Sequence, residues 1–205
     1  MNFVSEFTKM NLCIVAALCF SVLLSKFIQT RKLVHLLIGP IFMHFVDRFV
    51  NLSLSQKLLL SSVPLSSSIL FYLSTVVKQL SFLKKIIARE QSAQLLGIIC
   101  YGLFFTCYPF ISTKYFKYSL VCLVFGDGVA SFGSFFNKKD GKGNAGSLFC
   151  YLCSFIALVM YGAEVTEAGI LGAVGAVLER VSGAYDNLVI VAGVWIVGEV
   201  MCRIK

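Results

Sequence analysis

Residues 118–136 read YSLVCLVFGDGVASFGSFF, an apolar run of 19 residues with one aspartate, Asp127, between Gly126 and Gly128. A helix of about 20 apolar residues is long enough to cross a bilayer. A carboxylate inside such a helix has no solvent to stabilise its charge, so it needs a cation, a metal or a polar cavity. The stretch therefore predicts a membrane helix that carries a functional residue.

Seven further apolar runs surround this one, each bounded by charges or turn signals. They are, approximately, residues 10–24, 33–50, 58–77, 95–111, 147–161, 168–178 and 188–202. The chain of 205 residues is 58% hydrophobic and 14% charged, with a mean hydropathy of +0.86. This excludes an ordinary soluble domain, in which roughly a quarter of residues are charged. We predict an all-α fold, with residues 1–205 forming one membrane-embedded domain, a polytopic bundle of about seven or eight transmembrane helices.

The first apolar run follows Lys9 and could be a signal peptide, but it ends in a poor cleavage site, so we expect a retained helix. The eight cysteines all fall inside apolar runs and are interpreted as small buried hydrophobic residues. Two sets of small residues at helical spacing predict close helix packing. They are Gly126, Ala130 and Gly133, and Gly169, Gly172 and Gly175.

The net charge of +8 comes from short clusters of Lys and Arg between apolar runs, with no basic stripe of the kind that binds nucleic acid. With eight spans, the loops after the first, third, fifth and seventh runs hold 11 basic residues. The termini and the other loops hold 7. The positive-inside bias therefore places the first set of loops in the cytosol.

Four groups of polar residues lie in or next to apolar runs, where ionisable side chains point to function. They are Arg31, Lys32 and His35; Arg89 and Glu90; Asp127 with the loop at residues 137–147; and Glu179 with Asp186 and Asn187. Interfacial anchoring, a helix-start ion pair, an ordinary turn and helix capping are the alternative interpretations. All four groups lie on one membrane face in this topology, so we expect them to converge on one interfacial site.

The loop at residues 137–147 reads NKKDGKGNAGS and runs into the apolar stretch that starts at Ser147. It contributes three lysines, Lys138, Lys139 and Lys142, and three glycines, Gly141, Gly143 and Gly146. Ammonium groups, exposed backbone amides and a helix N-terminus together favour phosphate binding. The loop is not a Walker A motif, because GxxxxGK[ST] is absent.

Residues 31–40, RKLVHLLIGP, resemble the RKLVHxxxGP segment of phytol kinases, within the polyprenol kinase family that includes farnesol and dolichol kinases. Arg89-Glu90 with residues 95–97, LLG, is similar to that family's RE…LLxGP segment. Residues 126–130, GDGVA, followed by Lys142 and residues 145–147, AGS, resemble its GDGxAD…KSxAGS core.

The last resemblance is between Glu179 with residues 186–188, DNL, and the family's VESLP…DDNL signature. The four motifs follow in order from Arg31 to the end of the chain. The chain departs from the family at Ser131, Gly143 and Tyr185, where the family has aspartate, serine and aspartate.

The resemblance implies CTP-dependent phosphorylation of a long-chain isoprenoid alcohol of the phytol, farnesol or geranylgeraniol type. Mg²⁺ is then assigned to Asp127, Asp186 and Asn187, and activation of the hydroxyl to His35 or Glu179. Lys142 is the catalytic cation. The remaining nucleotide and phosphate contacts are assigned to Arg31, Lys32, Gly126, Gly128, Lys138, Lys139, Gly141, Gly143, Gly146 and Ser147, with Arg89 and Glu90 as further site residues.

Three alternatives remain open at the level of the sequence. Two are enzymes, a dolichol kinase and an enzyme like phosphatidate cytidylyltransferase. The third is a small transporter, in which Asp127, His35 and His44 would line a pathway at mid-membrane. We expect an endoplasmic reticulum membrane, with a plastid membrane as the alternative, and membrane lipid, the alcohol and CTP as the partners.

Overall fold

A computed structural model of the chain describes residues 2–24, 30–49, 51–76, 93–111, 113–130, 132 and 144–204. Within these ranges the regular structure is entirely helical, and no residue forms a strand. The chain divides into two compact units, Met1–Ile111 (unit 1) and Ser112–Lys205 (unit 2). The predicted all-α fold is confirmed for the described residues.

Unit 1 contains four described helices. They are α1 (Phe3–Leu24), α2 (Thr30–Asp47), α3 (Leu54–Val76) and α4 (Ala93–Cys107).

Unit 2 opens with a long helix in three consecutive segments and continues with three more helices. The segments are α5 (Lys114–Val121), a π-helical segment (Cys122–Asp127) and α6 (Gly128–Ala130). The further helices are α7 (Asn144–Met160), α8 (Val165–Val181) and α9 (Asp186–Ile204), with a 3₁₀ turn at Gly183–Tyr185 before α9. Each of the eight apolar runs in the sequence thus coincides with one described helical stretch.

Within the described ranges, two helices are long and apolar enough to cross a membrane, at Phe3–Ser21 and Asp186–Ile204. Only 22% and 28% of these two stretches are buried inside the protein, so most of their apolar surface faces outward. Outward-facing apolar helices are typical of proteins that associate with membranes.

Helix α1 begins at Phe3, seven residues before the predicted apolar run, because its polar first turns find partners. Lys9 Nζ lies 2.6 Å from Glu6 Oε1, and Arg48 Nη1 lies 3.5 Å from Glu6 Oε2. Since Arg48 directly follows α2, this pair connects the start of α1 to the end of α2.

Small residues allow α3 and α4 of unit 1 to approach closely. The Ser61 hydroxyl donates to the Thr106 carbonyl oxygen at 2.7 Å, and a Cβ added at Gly102 would overlap Ser68 Oγ. Helix α2 contacts α4 through His35, whose ring stacks on that of Tyr101 with a centroid distance of 4.0 Å.

The predicted small-residue packing is confirmed in part. Within unit 2, a Cβ at Gly172 would lie 3.4 Å from Phe155 N, and one at Gly175 would lie 3.4 Å from Cys122 Cβ. Gly169 faces open space, so its predicted packing role is wrong. Gly133 lies outside the described residues.

The prediction that the cysteines are buried is also wrong for half of them. All eight are free thiols, and Cys122 and Cys150 are buried, but four are exposed. The exposed ones are Cys13, Cys19, Cys107 and Cys202. A thiol is small and weakly polar, so it is tolerated on the outer face of an apolar helix as well as inside.

Candidate functional site

Asp127 lies at the end of the π-helical segment and is completely buried. The segment is continuous with the flanking α-helices, because Cys122 and Gly128 at its borders both keep right-handed helical backbone angles. The helix begins at Lys114, where the Thr113 hydroxyl accepts from the backbone N–H of Phe116 at 3.2 Å. Single π-helical turns inside α-helices occur frequently at functional sites.

Helix α7 runs antiparallel to this helix and packs tightly against it. A Cβ at Gly126 would lie 3.0 Å from Cys150 Sγ and still closer to Ser154 Oγ. Four residues further along, Ala130 meets the first turn of α7, where a Cβ at Gly146 would lie 2.9 Å from the Ala130 carbonyl oxygen. The N-terminal turn of α7, with Gly146 and Ser147, therefore lies at the same end of unit 2 as Asp127.

Helix α9 also runs antiparallel to the helix that carries Asp127. The ring of Tyr115 lies against Gly198, and Phe116 packs on Trp195 with a centroid distance of 5.0 Å. Asp127 is 12 residues after Tyr115, and Asp186 is 12 residues before Gly198. Because the two helices advance along their axes by similar amounts per residue, this register puts the start of α9 near the level of Asp127.

Four buried polar residues thus belong to one end of unit 2, which we call the carboxylate end: Asp127, Glu179, Asp186 and Asn187. Asp127 and Asn187 are 0% exposed, Glu179 is 4% exposed and Asp186 is 5% exposed. The Asp186 carboxylate accepts from the backbone N–H of Asn187 at 2.8 Å. Asp127 and Glu179 both lie near the Cys150 side chain, so the last turn of α8 belongs to the same region.

His35 and Glu179, the two predicted activators of the hydroxyl, lie in different units. His35 is buried in unit 1, and the hydroxyl of Tyr101 donates to its backbone carbonyl oxygen at 3.3 Å. Glu179 lies in unit 2, as Asp127 does. Glu179 thus belongs to the same unit as the predicted metal ligands, and His35 belongs to unit 1.

Several predicted site residues lie outside the described residues: Arg89, Glu90, Lys138, Lys139, Gly141, Lys142 and Gly143. Arg31 and Lys32 belong to the first turn of α2. Gly126 and Gly128, which flank Asp127, are buried. Both glycines thus lie inside a helix, and Gly126 allows close packing against α7.

The carboxylate end offers side-chain oxygen atoms, the kind of ligand that Mg²⁺ prefers. Among the residues that the structure describes, no group of three or more His, Cys, Asp or Glu side chains could hold a metal ion. Mg²⁺ prefers oxygen ligands and is usually held by one or two carboxylates together with substrate phosphates. Asp127 and Asp186 with the Asn187 amide oxygen are donors of this kind.

A second polar cluster, at the opposite end of unit 2, escaped the sequence analysis. We call it the lysine end: Lys114, Tyr115 and Glu167. The completely buried Glu167 carboxylate accepts from Lys114 Nζ at 2.8 Å and from the Tyr115 hydroxyl at 2.7 Å. Lys114 Nζ also lies 5.4 Å and 5.3 Å from the ring centroids of Tyr115 and Tyr118.

The lysine end precedes the apolar runs that start at residues 118 and 168. Burial acts to raise the pKa of Glu167, but the hydrogen bonds from Lys114 and Tyr115 outweigh it and hold the pKa below its ordinary value of 4.5. The hydrogen bond to Glu167 raises the pKa of Lys114 above its ordinary value of 10.5. The two residues therefore form an ion pair at neutral pH that connects α5 to α8.

Replacing Lys114 by methionine is expected to destabilise unit 2 by about 2 kcal/mol, since it leaves a buried carboxylate without its cation. Because folding lowers the Glu167 pKa, the stabilisation is complete above about pH 4.5 and is lost as the pH falls through the folded value. At the alkaline limit it is lost as the pH rises past the elevated pKa of Lys114. Thermal unfolding of purified wild-type and Lys114→Met protein between pH 3 and 8 measures this.

The matched control is Lys117→Met, on the same helix. Lys117 Nζ lies 5.1 Å from the Tyr161 ring centroid, a contact worth roughly 0.5–1 kcal/mol at an exposed site. Equal losses in the two variants, or a stability difference between wild type and Lys114→Met that persists at pH 3, would show that the Lys114–Glu167 pair contributes little.

Comparisons of the chain with protein-family models, with curated proteins and with solved structures found no match.

Proposed function

We propose that the protein is a membrane-embedded, CTP-dependent kinase of a long-chain isoprenoid alcohol. Its carboxylate end would be the catalytic centre, and the bundle would span the bilayer with seven or eight helices. The proposal is supported by the four ordered motifs in the sequence, by the all-helical fold and by the two helices long and apolar enough to cross a membrane.

The observation that carries the proposal is the burial of Asp127 at the level where α9 begins with Asp186 and Asn187. Carboxylates that share a small buried volume resist ionisation unless a cation is present. A nucleotide triphosphate with its Mg²⁺ supplies that cation and accepts the same oxygen donors. Binding of the nucleotide with its Mg²⁺ would therefore neutralise the buried acidic side chains at this end of unit 2.

The proposed reaction joins the alcohol oxygen to the γ-phosphorus of CTP. The bond from the γ-phosphorus to the β,γ-bridging oxygen breaks, CDP leaves, and the hydroxyl proton passes to a base. A bound Mg²⁺ would neutralise charge on the phosphate oxygens. The proposed base is Glu179 or His35, and Glu179 belongs with Asp127 to the carboxylate end of unit 2.

The lysines of the loop between Ala130 and Asn144 would hold the phosphates. Lys138, Lys139 and Lys142 belong to the segment between Ala130 and Asn144, and Ala130 lies against Gly146 in the first turn of α7 at the carboxylate end. Phosphoryl transfer depends mainly on positioning and on cations near the phosphate oxygens. The loop would therefore bring ammonium groups from the aqueous side to a site whose floor is Asp127.

The alcohol would keep its tail in the lipid and present its hydroxyl at the membrane interface. Exposed apolar side chains near the carboxylate end, such as Val181 and Leu188, offer the tail a continuous apolar environment. Tail length would be distinguished by helix surfaces of this kind. The endoplasmic reticulum membrane is the proposed location, with a plastid membrane as the alternative.

A substrate panel tests this function. Purified protein in lipid nanodiscs is incubated with Mg²⁺ and either CTP or ATP, and with phytol, farnesol, geranylgeraniol or dolichol, and the products are identified by mass spectrometry. We expect a prenyl monophosphate that forms faster with CTP. Formation of a CDP-lipid from phosphatidate would favour a cytidylyltransferase. Absence of any nucleotide-dependent product, with solute uptake in proteoliposomes, would favour a transporter.

A labelling experiment tests the membrane topology. Single cysteines at positions 113, 140, 164 and 185 are introduced into a variant that lacks the eight native cysteines. Impermeant maleimide added from the cytosolic side should label positions 140 and 185 and spare positions 113 and 164, since α7 and α8 separate the two sets. Labelling of positions 140 and 164 from the same side would contradict a membrane-spanning α7.

A further inference from the structure

Two small side chains of α7, Cys150 and Ser154, lie one helical turn apart and face Gly126. Both are buried, and together they leave no space for a Cβ at Gly126. Gly126 directly precedes Asp127 in the π-helical segment. The helix that carries Asp127 is thus in backbone-to-side-chain contact with α7 one residue away from the carboxylate.

The same two side chains connect to the rest of the carboxylate end. Ser154 lies near the thiols of both Cys122 and Cys150, and Cys122 is the first residue of the π-helical segment. Cys150 also lies near the side chains of Asp127 and Glu179. The pair is therefore close to Cys122 and Gly126 at the two ends of the π-helical segment and to two buried acidic residues.

We propose that Cys150 and Ser154 form a seat that positions Asp127, by fixing how closely Gly126 approaches α7. The proposal rests on the proposed function, in which Asp127 acts on the nucleotide. Cys150 and Ser154 are positioning residues, because they act through Asp127 and contact no substrate. Their small size is the essential property, since a larger contact would move the π-helical segment away from α7.

A small displacement is sufficient to matter for this chemistry. Misplacing a reacting group by about 1 Å can reduce a rate on the order of 10²-fold. In Gly126→Ala the new methyl group would overlap Ser154 Oγ and press on Cys150 Sγ, so either these two side chains rotate or the backbone beside Asp127 shifts. Because Cys150 and Ser154 are both buried and have little room to rotate, we expect the backbone to shift. We therefore expect kcat to fall about 10²-fold, with little change in the KM for the alcohol.

Two glycine-to-alanine controls separate positioning from loss of stability. Gly198→Ala would meet the ring of Tyr115 at the lysine end, far from Asp127, and Gly169→Ala meets nothing within 4 Å. We expect Gly198→Ala to lower the unfolding temperature while kcat per folded molecule is retained, and Gly169→Ala to change neither. An equal fall in kcat for Gly126→Ala and Gly198→Ala would contradict the proposal that Cys150 and Ser154 position Asp127.

Rescue by a second substitution gives the decisive result. Ser154→Ala removes the oxygen nearest to the added methyl group, so Gly126→Ala/Ser154→Ala should recover most of the lost kcat. If the wild-type enzyme is active but the double variant does not recover kcat, the proposed positioning role of Cys150 and Ser154 is wrong. An inactive wild-type protein would instead refute the proposed function, and the positioning role would fall with it.

Discussion

Asp127→Asn is expected to lower turnover by about 10² to 10³ while the protein remains folded, because the substitution keeps the size of the side chain and removes its charge. Asp127 is completely buried at the end of a π-helical segment, so solvent cannot replace the lost carboxylate. The measurement is the initial rate of prenyl phosphate formation at saturating CTP and Mg²⁺. Thermal unfolding of the same sample reports whether the fold is intact.

The matched control for this loss is Glu167→Gln, a second carboxylate-to-amide change in a completely buried residue of unit 2. Glu167 lies at the lysine end with Lys114 and Tyr115, away from Asp127. We expect this variant to be less stable and to retain its turnover per folded molecule. Near-normal activity in Asp127→Asn would show that Asp127 is only a structural carboxylate.

Lys142→Ala is expected to raise the KM for CTP by about 10-fold or more, since removal of a charge-assisted contact to phosphate costs roughly 1.5–3 kcal/mol. The KM for the alcohol should change little, because the ammonium group would act on the nucleotide. Lys142→Arg should recover only part of the loss if a compact cation is required, since guanidinium is larger and planar. Steady-state kinetics with each substrate varied in turn measure these effects.

Lys117→Ala serves as the control, because it removes a lysine that lies over the Tyr161 ring in the part of unit 2 opposite the carboxylate end. Its KM for CTP should equal that of the wild type. Two results are incompatible with a phosphate role for the loop: an unchanged CTP dependence in Lys142→Ala, or full activity after residues 137–143 are replaced by a neutral Gly/Ser linker.

The order and type of the helices could be predicted from the sequence because the apolar runs are long and separated by charge. Their starts could not. Helix α1 begins earlier because Glu6 is paired with Lys9 and Arg48, and the helix of Asp127 begins at Lys114 because Thr113 caps it. Polar residues such as Glu6 and Thr113 mark the limits of an apolar run, but in the structure they belong to the helix or cap it. The predicted helices are therefore shorter than the observed ones.

The carboxylate end could be predicted in part. The position of Asp127 inside an apolar run was a sufficient signal for a buried acid, and the buried helix-start residues Asp186 and Asn187 were identified with it. The π-helical segment was not predictable, because an apolar run has the same residue pattern whether it forms an α-helix or a π-helical turn. The same holds for Cys150 and Ser154, whose importance follows from their contact with Gly126.

The lysine end was missed for a different reason. Lys114 was counted only as a basic loop residue, and Glu167 stands alone ahead of an apolar run. The two are 53 residues apart in the chain, so only the packing of α8 alongside α5 in the same direction brings them to 2.8 Å. A pair of opposite charges at the starts of two apolar runs on the same membrane face is the signal that could have found it.

The most direct test of the proposed kinase activity is to follow the γ-phosphate of CTP through a single turnover. Wild-type protein in nanodiscs, in excess over CTP labelled at the γ-phosphate, is mixed with Mg²⁺ and farnesol or phytol, and the products are separated and counted. A prenol kinase centred on Asp127 predicts that the label appears on the alcohol, with one CDP formed for each prenyl monophosphate. Label recovered in pyrophosphate, or left in unreacted CTP with every alcohol tested, would contradict it.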